Sequence, residues 1–333
     1  MSEITAILKL LTAHPGTSAV LATLVRVDGS SYRQPGARRL WLPDGTCTGS
    51  ISGGCLEEDL LVRAQRVLAT GRAEVATYDT AAENDVVWGT GTGCDGRVQV
   101  LLELIPPDRP SWLALLHTNL FAQNITTLAV VYSGPPGTKL GTRLASDPLP
   151  RTAGSEIFLE TIQPPHPLVV FGAGDDAQPL VRMALELGWQ VTVVDSRSAY
   201  ATAARFPGAA VLVSPAEATI RPVPLGPRML AVVMTHRFRD DIALLPQLLS
   251  APLAYLGLLG TRQRTQRLLA SIEGAGLRIT AEMRQQLHAP VGLDLGGRTP
   301  ETVALAILAE IQARLAGRTP GFLRERPPGP IHD

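Results

Sequence analysis

Gly172-Ala173-Gly174-Asp175-Asp176-Ala177 is the stretch of the sequence that decides the fold. It follows the apolar run Leu168 to Phe171, a predicted strand, and opens a segment with helical apolar spacing. This context and the G-x-G-x-x-A spacing are typical of the dinucleotide-binding fingerprint, in which Ala is tolerated at the third position. Asp195 ends the next predicted strand, where an acidic residue usually accepts the ribose hydroxyls. The sequence therefore predicts a Rossmann-type unit with Gly172, Gly174 and Asp195 as candidate nucleotide-binding residues.

Polar residues follow two further predicted strands in the second half of the chain, which alternates strands and helices in the pattern of a parallel sheet. His236 follows the strand Leu230 to Met234, and Arg262 follows the strand Ala254 to Leu258 and a glycine turn. Because the carboxyl ends of such strands converge on one crevice, both residues are candidate ligand contacts. The alternatives are a surface-loop imidazole for His236 and a solvated helix-start residue for Arg262.

The composition excludes several classes of protein. A length of 333 residues favours two domains, and a chain that is 45% hydrophobic and 18% charged can bury sizeable cores. Thirty basic and thirty acidic side chains cancel and aromatic residues make up 5%, so nucleic-acid binding is not expected. No apolar run approaches the roughly 18–20 residues that span a bilayer. The N-terminus has no secretory signal pattern, and we expect a cytoplasmic protein.

The chain is predicted to be an α/β protein in which a mixed α+β domain precedes a Rossmann-like parallel-sheet domain. The first domain is assigned to residues 1–133 and is mostly β. A proline-rich connecting region follows at 134–167, the Rossmann-like domain at 168–323, and a tail at 324–333. The three cysteines are odd in number and have no zinc-type spacing, so neither a disulfide framework nor a structural zinc site is expected.

Cys55 stands at the most informative position of the first half. It follows a glycine-rich turn that includes Ser52, Gly53 and Gly54, and it precedes an apolar-periodic helix. Free N–H groups at a helix start can bind an anion, and the helix dipole favours a thiolate there. The acidic residues 57–59 in the first turn would oppose a thiolate. The alternative is a glycine turn that caps an ordinary helix beside a buried, inert cysteine.

Two other segments of the first half have the composition of ligand-binding loops. Arg33, Arg38 and Arg39 lie close in the chain to Ser30-Ser31 and Pro35-Gly36, and arginine forks beside hydroxyl groups and free backbone N–H groups suit phosphate or another oxyanion. The alternative for this segment is an exposed basic hairpin. Gly93 and Cys94 lie in a glycine-dense loop that allows a ligand to approach the backbone closely. A merely mobile loop would have the same composition.

These segments together resemble the XdhC/CoxI family, whose members are accessory proteins of molybdenum hydroxylases such as xanthine dehydrogenase. The match covers nearly the whole chain in the same order, so it is more specific than any single motif. It rests on residues 29–38, 49–57, 88–94, 171–174, 234–236, 256–262 and 289–294. The chain departs from the family pattern at Gln34, where a basic residue is common, and at Asp95, where glycine is frequent.

The resemblance implies a chaperone without turnover chemistry of its own. Such a protein would bind and protect molybdenum cofactor (molybdopterin), support its sulfuration, and deliver it to an apo molybdenum hydroxylase. Thiolates are soft ligands that can face molybdenum, so Cys55 is the first candidate for a molybdenum contact and Cys94 the second. A cysteine desulfurase is the implied sulfur source. We also expect a homodimer, because a chaperone must present a surface to its client.

Two alternative functions remain open at this point. One is an NAD-dependent oxidoreductase that binds the nucleotide through Gly172, Gly174 and Asp195 and uses His236 as a proton donor. Asp175 and Asp176 place negative charge where its pyrophosphate would bind, and the fold alone does not identify a dehydrogenase. The other is a sulfur relay that carries a persulfide on Cys55.

Overall fold

The computed structural model describes residues 3–29, 31–79, 96–150, 153–216 and 225–326. The chain divides into two compact units, Met1–Pro164 and Pro165–Asp333. Within the described ranges, every helix is too short or too polar to traverse a lipid bilayer. Each unit has its own sheets and cores.

The first unit contains two antiparallel sheets. A five-stranded sheet has the order β3-β2-β1-β5-β4, and a three-stranded sheet has the order β7-β6-β8. β7 and β8 fall within the segment 134–167, which was predicted to be a connecting region, and the unit that contains them runs to Pro164. The elements are α1 Glu3–Ala13, β1 Ala19–Gly29, β2 Arg38–Trp41, β3 Cys47–Gly49, α2 Glu57–Thr70, β4 Glu74–Asp79, β5 Gly96–Ile105, α3 Ser111–Phe121, β6 Thr126–Ser133, β7 Gly141–Leu144 and β8 Glu156–Ile162.

The five-stranded sheet is buried on both faces because β1 alternates its apolar side chains between two cores. Leu21 packs into a cluster with side chains of α1 and α3, whereas Val20 and Leu24 pack into a cluster with α2. Helix α2 contributes Leu60, Ala64 and Val67, which share one helical face. This packing fixes the start of α2 against the sheet, and the Cys55 loop leads directly into that start.

The second unit is a parallel sheet with the strand order β11-β10-β9-β12-β13-β14. The chain moves from β9 to one side and then returns to the other, so the order reverses between β9 and β12, where Rossmann-type folds bind their ligands. The elements are β9 Pro167–Phe171, α4 Ala177–Glu186, β10 Gln190–Asp195, β11 Ala210–Val213, β12 Leu230–Val233, α5 Phe238–Leu249, β13 Tyr255–Leu258, α6 Arg262–Gly274, α7 Ala281–Gln286, β14 Leu287–His288, α8 Pro300–Leu315 and the 3₁₀ helix Leu323–Glu325.

The parallel sheet is covered on both faces. Leu168 and Val170 of β9 join a core with α4 and α8, whereas Val169 and Phe171 join a core with α5 and α6. Strands buried on both faces read as continuous apolar runs, which is the pattern of residues 168–171. The predicted fold class, a mixed α+β unit followed by a Rossmann-like parallel sheet, is confirmed.

Candidate functional site

The Cys55 loop, residues 50–56, connects β3 to α2 and presents its cysteine at the surface. Cys55 is a free, exposed thiol, and Gly53 and Gly54 beside it are also exposed. Ile51 and Leu56 anchor the two ends of the loop in the core, where they are 2% and 5% exposed. The structure therefore excludes the alternative of a cysteine sealed in hydrocarbon.

Glu57 turns back from the first turn of α2 onto this loop. Its Oε1 accepts hydrogen bonds from the backbone N–H groups of Ser52 at 2.9 Å and Ile51 at 3.3 Å, and from the hydroxyl of Ser50 at 3.1 Å. Its Oε2 accepts the hydroxyl of Ser52. The loop amides that the sequence offered to an external anion thus bind a carboxylate of the protein itself. The sequence showed that Glu57 is acidic, but not that its side chain turns back onto the loop.

Ser52 connects the carboxylate to the rest of the loop. The Ser52 hydroxyl donates a hydrogen bond to Glu57. Its Oγ lone pairs are therefore free to accept hydrogen bonds from the N–H groups of Gly54 at 3.2 Å and Leu56 at 3.1 Å. Burial acts to raise the pKa of Glu57, but the hydrogen bonds from Ser52 and Ser50 outweigh it and hold that pKa below its usual range. Glu57 is therefore an anion at neutral pH.

The predicted arginine site is engaged within the protein. Arg38 is 3% exposed, and its guanidinium donates to Glu160 Oε2 at 2.5 Å and to the carbonyl of Gly36 at 3.0 Å. Arg33 pairs with Glu3. Ser31 is half-buried in the same segment. The structure does not present these two arginines as free cations beside Cys55.

Tyr32 belongs to the first family motif but was not among the predicted site residues. Its side chain is 72% exposed, and a Cβ built on Gly53 would lie 3.8 Å from its Cδ1 atom. A large, exposed aromatic ring thus lies beside the glycine backbone of the Cys55 loop. The sequence signal that could have identified it is its position between two polar residues, Ser31 and Arg33, where an aromatic side chain is expected to be exposed. The predicted site residues Gly93 and Cys94 lie outside the described residues.

In the second unit, Gly172 lies at the point where the strand order reverses. Its φ is +121°, and a Cβ at this position would meet the carbonyl oxygen of Met234 at 2.4 Å. The tight turn and the contact between β9 and β12 therefore both require glycine. This is the geometric reason for the first glycine of the fingerprint.

Asp195 ends β10 with both carboxylate oxygens occupied. Oδ2 accepts the N–H of Ala173 at 2.7 Å, and Arg197 donates to both oxygens from its side chain and to Oδ1 from its backbone. Burial acts to raise the pKa of Asp195, but the Arg197 side chain and the Ala173 N–H together hold it below the usual range. The adjoining cavity, lined by Gly172, Asp195 and Ser196 among others, measures about 20 Å³ and has room for about one water molecule.

His236 and Asp176 face each other across the same point of the sheet. His236 Nε2 lies 2.6 Å from Asp176 Oδ2, and the His236 side chain is 60% exposed. His236 has a φ of +57°, which is uncommon for a residue other than glycine. A Cβ on Gly174 would lie 2.5 Å from Asp176 Oδ1, so this glycine leaves room for the pair. From the sequence, Asp176 was interpreted only as negative charge unfavourable to a pyrophosphate.

The last predicted contact, Arg262, lies at the first turn of α6 and is exposed. Thr261 caps this helix by accepting the N–H of Arg264 at 3.2 Å. Among the residues that the structure describes, Arg262 has neither an ion pair nor a side-chain hydrogen bond. The same ranges contain no cluster of three or more His, Cys, Asp or Glu side chains that could hold a metal ion.

Comparisons with known proteins follow the division into units. Residues 168–311 match the family model described as the XdhC Rossmann domain, and residues 12–79 match the model of the XdhC and CoxI family. A Bacillus subtilis (strain 168) protein, named as a probable subunit of xanthine dehydrogenase, is 32% identical over 315 residues, which cover 88% of this chain and 92% of that protein.

Two further relatives extend the comparison to function and to structure. The Escherichia coli (strain K12) protein named molybdenum cofactor insertion chaperone PaoD is 26% identical over 307 residues, covering 89% of this chain and 83% of that protein. A crystal structure from Bacillus halodurans, described as a xanthine dehydrogenase, superposes with a TM-score of 0.78 at 30% identity and covers 98% of both chains.

Proposed function

Because the chain belongs to the XdhC and CoxI family, we propose that it binds molybdenum cofactor at the Cys55 loop and delivers it to an apo molybdenum hydroxylase. The names of its relatives, one a probable subunit of xanthine dehydrogenase and the other a molybdenum cofactor insertion chaperone, support a role in maturation of such enzymes. Protection of the cofactor, its sulfuration with a cysteine desulfurase as sulfur source, and a homodimeric assembly are parts of the proposal.

The observation that carries the proposal is the exposed thiol of Cys55 on a loop whose ends are buried. Ile51 and Leu56 hold the loop in the core, so the thiol has a defined position although it faces outward. Thiolate sulfur is a soft ligand suited to molybdenum, which the cofactor carries on its dithiolene. The Cys55 thiol can contact the metal, or it can receive a persulfide sulfur from a cysteine desulfurase and transfer that outer sulfur onward, which leaves the thiol again.

Tyr32 gives the proposed site a second recognition element. Its exposed ring lies beside Gly53, and an aromatic face stacks well on a planar heterocycle such as a pterin. In this assignment, the ring of Tyr32 orients the pterin while the loop presents Cys55 to the metal-bearing end. The neighbouring Arg38 supports the segment from inside through its pair with Glu160.

The oxidoreductase alternative has less support. Asp195 would accept the ribose hydroxyls of NAD, but Arg197 and the Ala173 N–H already occupy its oxygens. Asp175 is paired with Arg205 at 2.8 Å, beside the loop where a pyrophosphate would bind. We therefore assign no nucleotide chemistry to the second unit.

The test is the cofactor content of the full chain expressed with ample molybdate. We expect the wild-type protein to carry molybdopterin, measured as its fluorescent oxidation product, and the Cys55→Ser variant to lose most of it. Cys47→Ser is the matched control, since Cys47 is also an exposed free thiol of the first unit. Wild-type protein that never carries pterin would refute the function. Equal loss in both variants would refute the assignment to Cys55.

A further inference from the structure

Glu57 gives the Cys55 loop a fixed internal anion. Four backbone N–H groups of the loop are directed inward, those of Ile51 and Ser52 to Glu57 and those of Gly54 and Leu56 to the hydroxyl of Ser52. A helix start preceded by glycines ordinarily offers such groups to an external phosphate. Here the protein's own carboxylate takes that place.

We propose that Glu57 is a specificity-determining residue, which excludes phosphate-type oxyanions from the Cys55 loop. An anionic ligand then meets the loop with its metal-bearing end and not with its phosphate. This second statement rests on the proposed function, whereas the exclusion itself does not. The phosphate of such a ligand must bind away from the loop.

The distribution of charge around the loop favours exclusion. Within the described ranges, no arginine or lysine forms an ion pair with Glu57, so its charge is stabilised only by hydrogen bonds and the helix start. Asp59, in the same turn, uses Arg63 at 2.6 Å as its partner. Arg33 and Arg38 are engaged with Glu3 and Glu160. Arg39, beside the start of the loop, has no carboxylate partner in the described ranges, but its guanidinium donates to the carbonyl of Gly49 at 3.3 Å and to Cys47 Sγ at 3.1 Å. A second oxyanion at the loop would therefore meet the negative charge of Glu57 while the neighbouring arginines are engaged elsewhere.

The N–H groups that Glu57 and Ser52 occupy are not those of Gly53 and Cys55. Gly53 and Cys55 are exposed, and their N–H groups have no protein acceptor among the described residues. These two groups are what the loop offers to a ligand beside the sulfur. From the loop backbone, a ligand atom at Cys55 can therefore gain at most these two donors, whereas a typical anion-binding concavity directs several successive N–H groups at its ligand.

The experiment measures alkylation of Cys55 by neutral iodoacetamide, followed by peptide mass spectrometry, as inorganic phosphate is titrated against chloride at constant ionic strength. Cys47 is the internal control thiol in every sample. Glu57→Ala vacates the acceptor site, Glu57→Gln keeps an acceptor oxygen without charge, and Glu58→Ala is the matched control, because Glu58 is the exposed neighbour in the same turn.

In the wild-type protein and in Glu58→Ala, we expect phosphate to leave the alkylation rate of Cys55 unchanged. In Glu57→Ala, phosphate replaces the missing carboxylate and its negative charge, so it slows the alkylation of Cys55 toward the wild-type rate as its concentration rises. Glu57→Gln stays unresponsive because its amide oxygen still occupies the loop N–H groups. The rate at Cys47 stays constant throughout.

Two results would overturn the proposal. Phosphate protection of Cys55 in the wild-type protein would show that the loop accepts oxyanions with Glu57 in place, whatever the variants do. Absence of protection in a folded Glu57→Ala variant would show that Glu57 does not occupy an anion site. Neither result depends on molybdopterin, so a failure of the proposed function is recognised separately by its absence from wild-type protein.

Discussion

Arg197 binds both carboxylate oxygens of Asp195, with Nε 2.9 Å from Oδ1 and Nη2 2.7 Å from Oδ2. The acceptor that a Rossmann-type fold normally offers to a ribose is thus paired with a neighbour two residues along the chain. Arg197 also lies over the ring of Tyr200, 4.1 Å from its centroid, which holds the guanidinium in place. The second unit therefore has a Rossmann-type fold, but the carboxylate that would bind a ribose is already paired within the protein.

The first prediction concerns nucleotide affinity. We expect wild-type protein to bind NADH weakly, and Arg197→Ala to bind it about tenfold more tightly, because the freed carboxylate of Asp195 can accept ribose hydroxyls. Fluorescence titration with NADH measures the dissociation constants. Arg205→Ala is the control, since Arg205 pairs with Asp175 and not with Asp195. Tight NADH binding by the wild-type protein would contradict this prediction and support the oxidoreductase hypothesis.

The second prediction concerns Tyr32. Tyr32→Ala should lower molybdopterin retention about tenfold, the usual contribution of one stacked aromatic ring, whereas Tyr32→Phe should retain it. Because the side chain is 72% exposed, both substitutions should change the free energy of unfolding by less than about 0.5 kcal/mol. Pterin fluorescence and urea titration provide the two readouts. Equal retention in the Ala and Phe variants would exclude stacking on this ring.

The third prediction separates a structural arginine from a ligand-binding one. Arg38→Met leaves Glu160 without its cation in a partly buried setting and should cost about 2–3 kcal/mol in urea unfolding. Arg33→Met, which breaks the more exposed pair with Glu3, should cost about 0–1 kcal/mol. If Arg38→Met unfolds like wild-type protein but loses molybdopterin, Arg38 is a ligand contact instead.

The fourth prediction is a pH dependence from Glu103. This carboxyl is buried, and burial raises its pKa above the usual range despite hydrogen bonds from Thr142. Since the folded state holds the proton more tightly than the unfolded state, Glu103 favours folding at low pH, and that contribution falls as pH rises above the unfolded pKa of about 4. Glu103→Gln should therefore gain stability relative to wild-type protein as pH rises. Urea unfolding from pH 4 to pH 8 measures this, and parallel curves would show that Glu103 is not the titrating group.

The fifth prediction compares the two glycines of the fingerprint. Gly172→Ala should cost about 3 kcal/mol or more, since its Cβ meets the backbone oxygen of Met234 at 2.4 Å and its φ is +121°. Gly174→Ala should cost less, because its Cβ meets only a side-chain oxygen of Asp176, at 2.5 Å, and that side chain can move. Thermal unfolding of both variants tests the order. A larger loss at Gly174 would contradict the assigned geometry.

The extent to which sequence predicts this protein differs between its two units. Residues 168–177 identified the Rossmann-like unit because glycine spacing and continuous apolar strands are local consequences of that fold. Helix α3, Ser111–Phe121, was not predicted, since its apolar residues do not keep to one helical face. The family resemblance, which combined motifs over nearly the whole chain, is confirmed.

The sequence indicated only part of the geometry around Cys55. Glycines around Cys55 indicated an exposed loop, and the thiol is exposed. The sequence did not indicate that Glu57 turns back onto Ile51 and Ser52, because the direction of a side chain depends on the packing of α2. It also placed Arg38 with the ligand, whereas the structure pairs it with a residue 122 positions away in the chain.

The sequence by itself determined the local features of this protein: a glycine turn that only a left-handed backbone can close, apolar runs that fill both faces of a sheet, and a cysteine before a helix. Their physical basis is short-range, in backbone sterics and the periodicity of burial. Only the tertiary structure decided which charges are free. Asp195, Arg38 and Glu57 each find partners through the packing of separate elements, and that pairing determines what a ligand can meet.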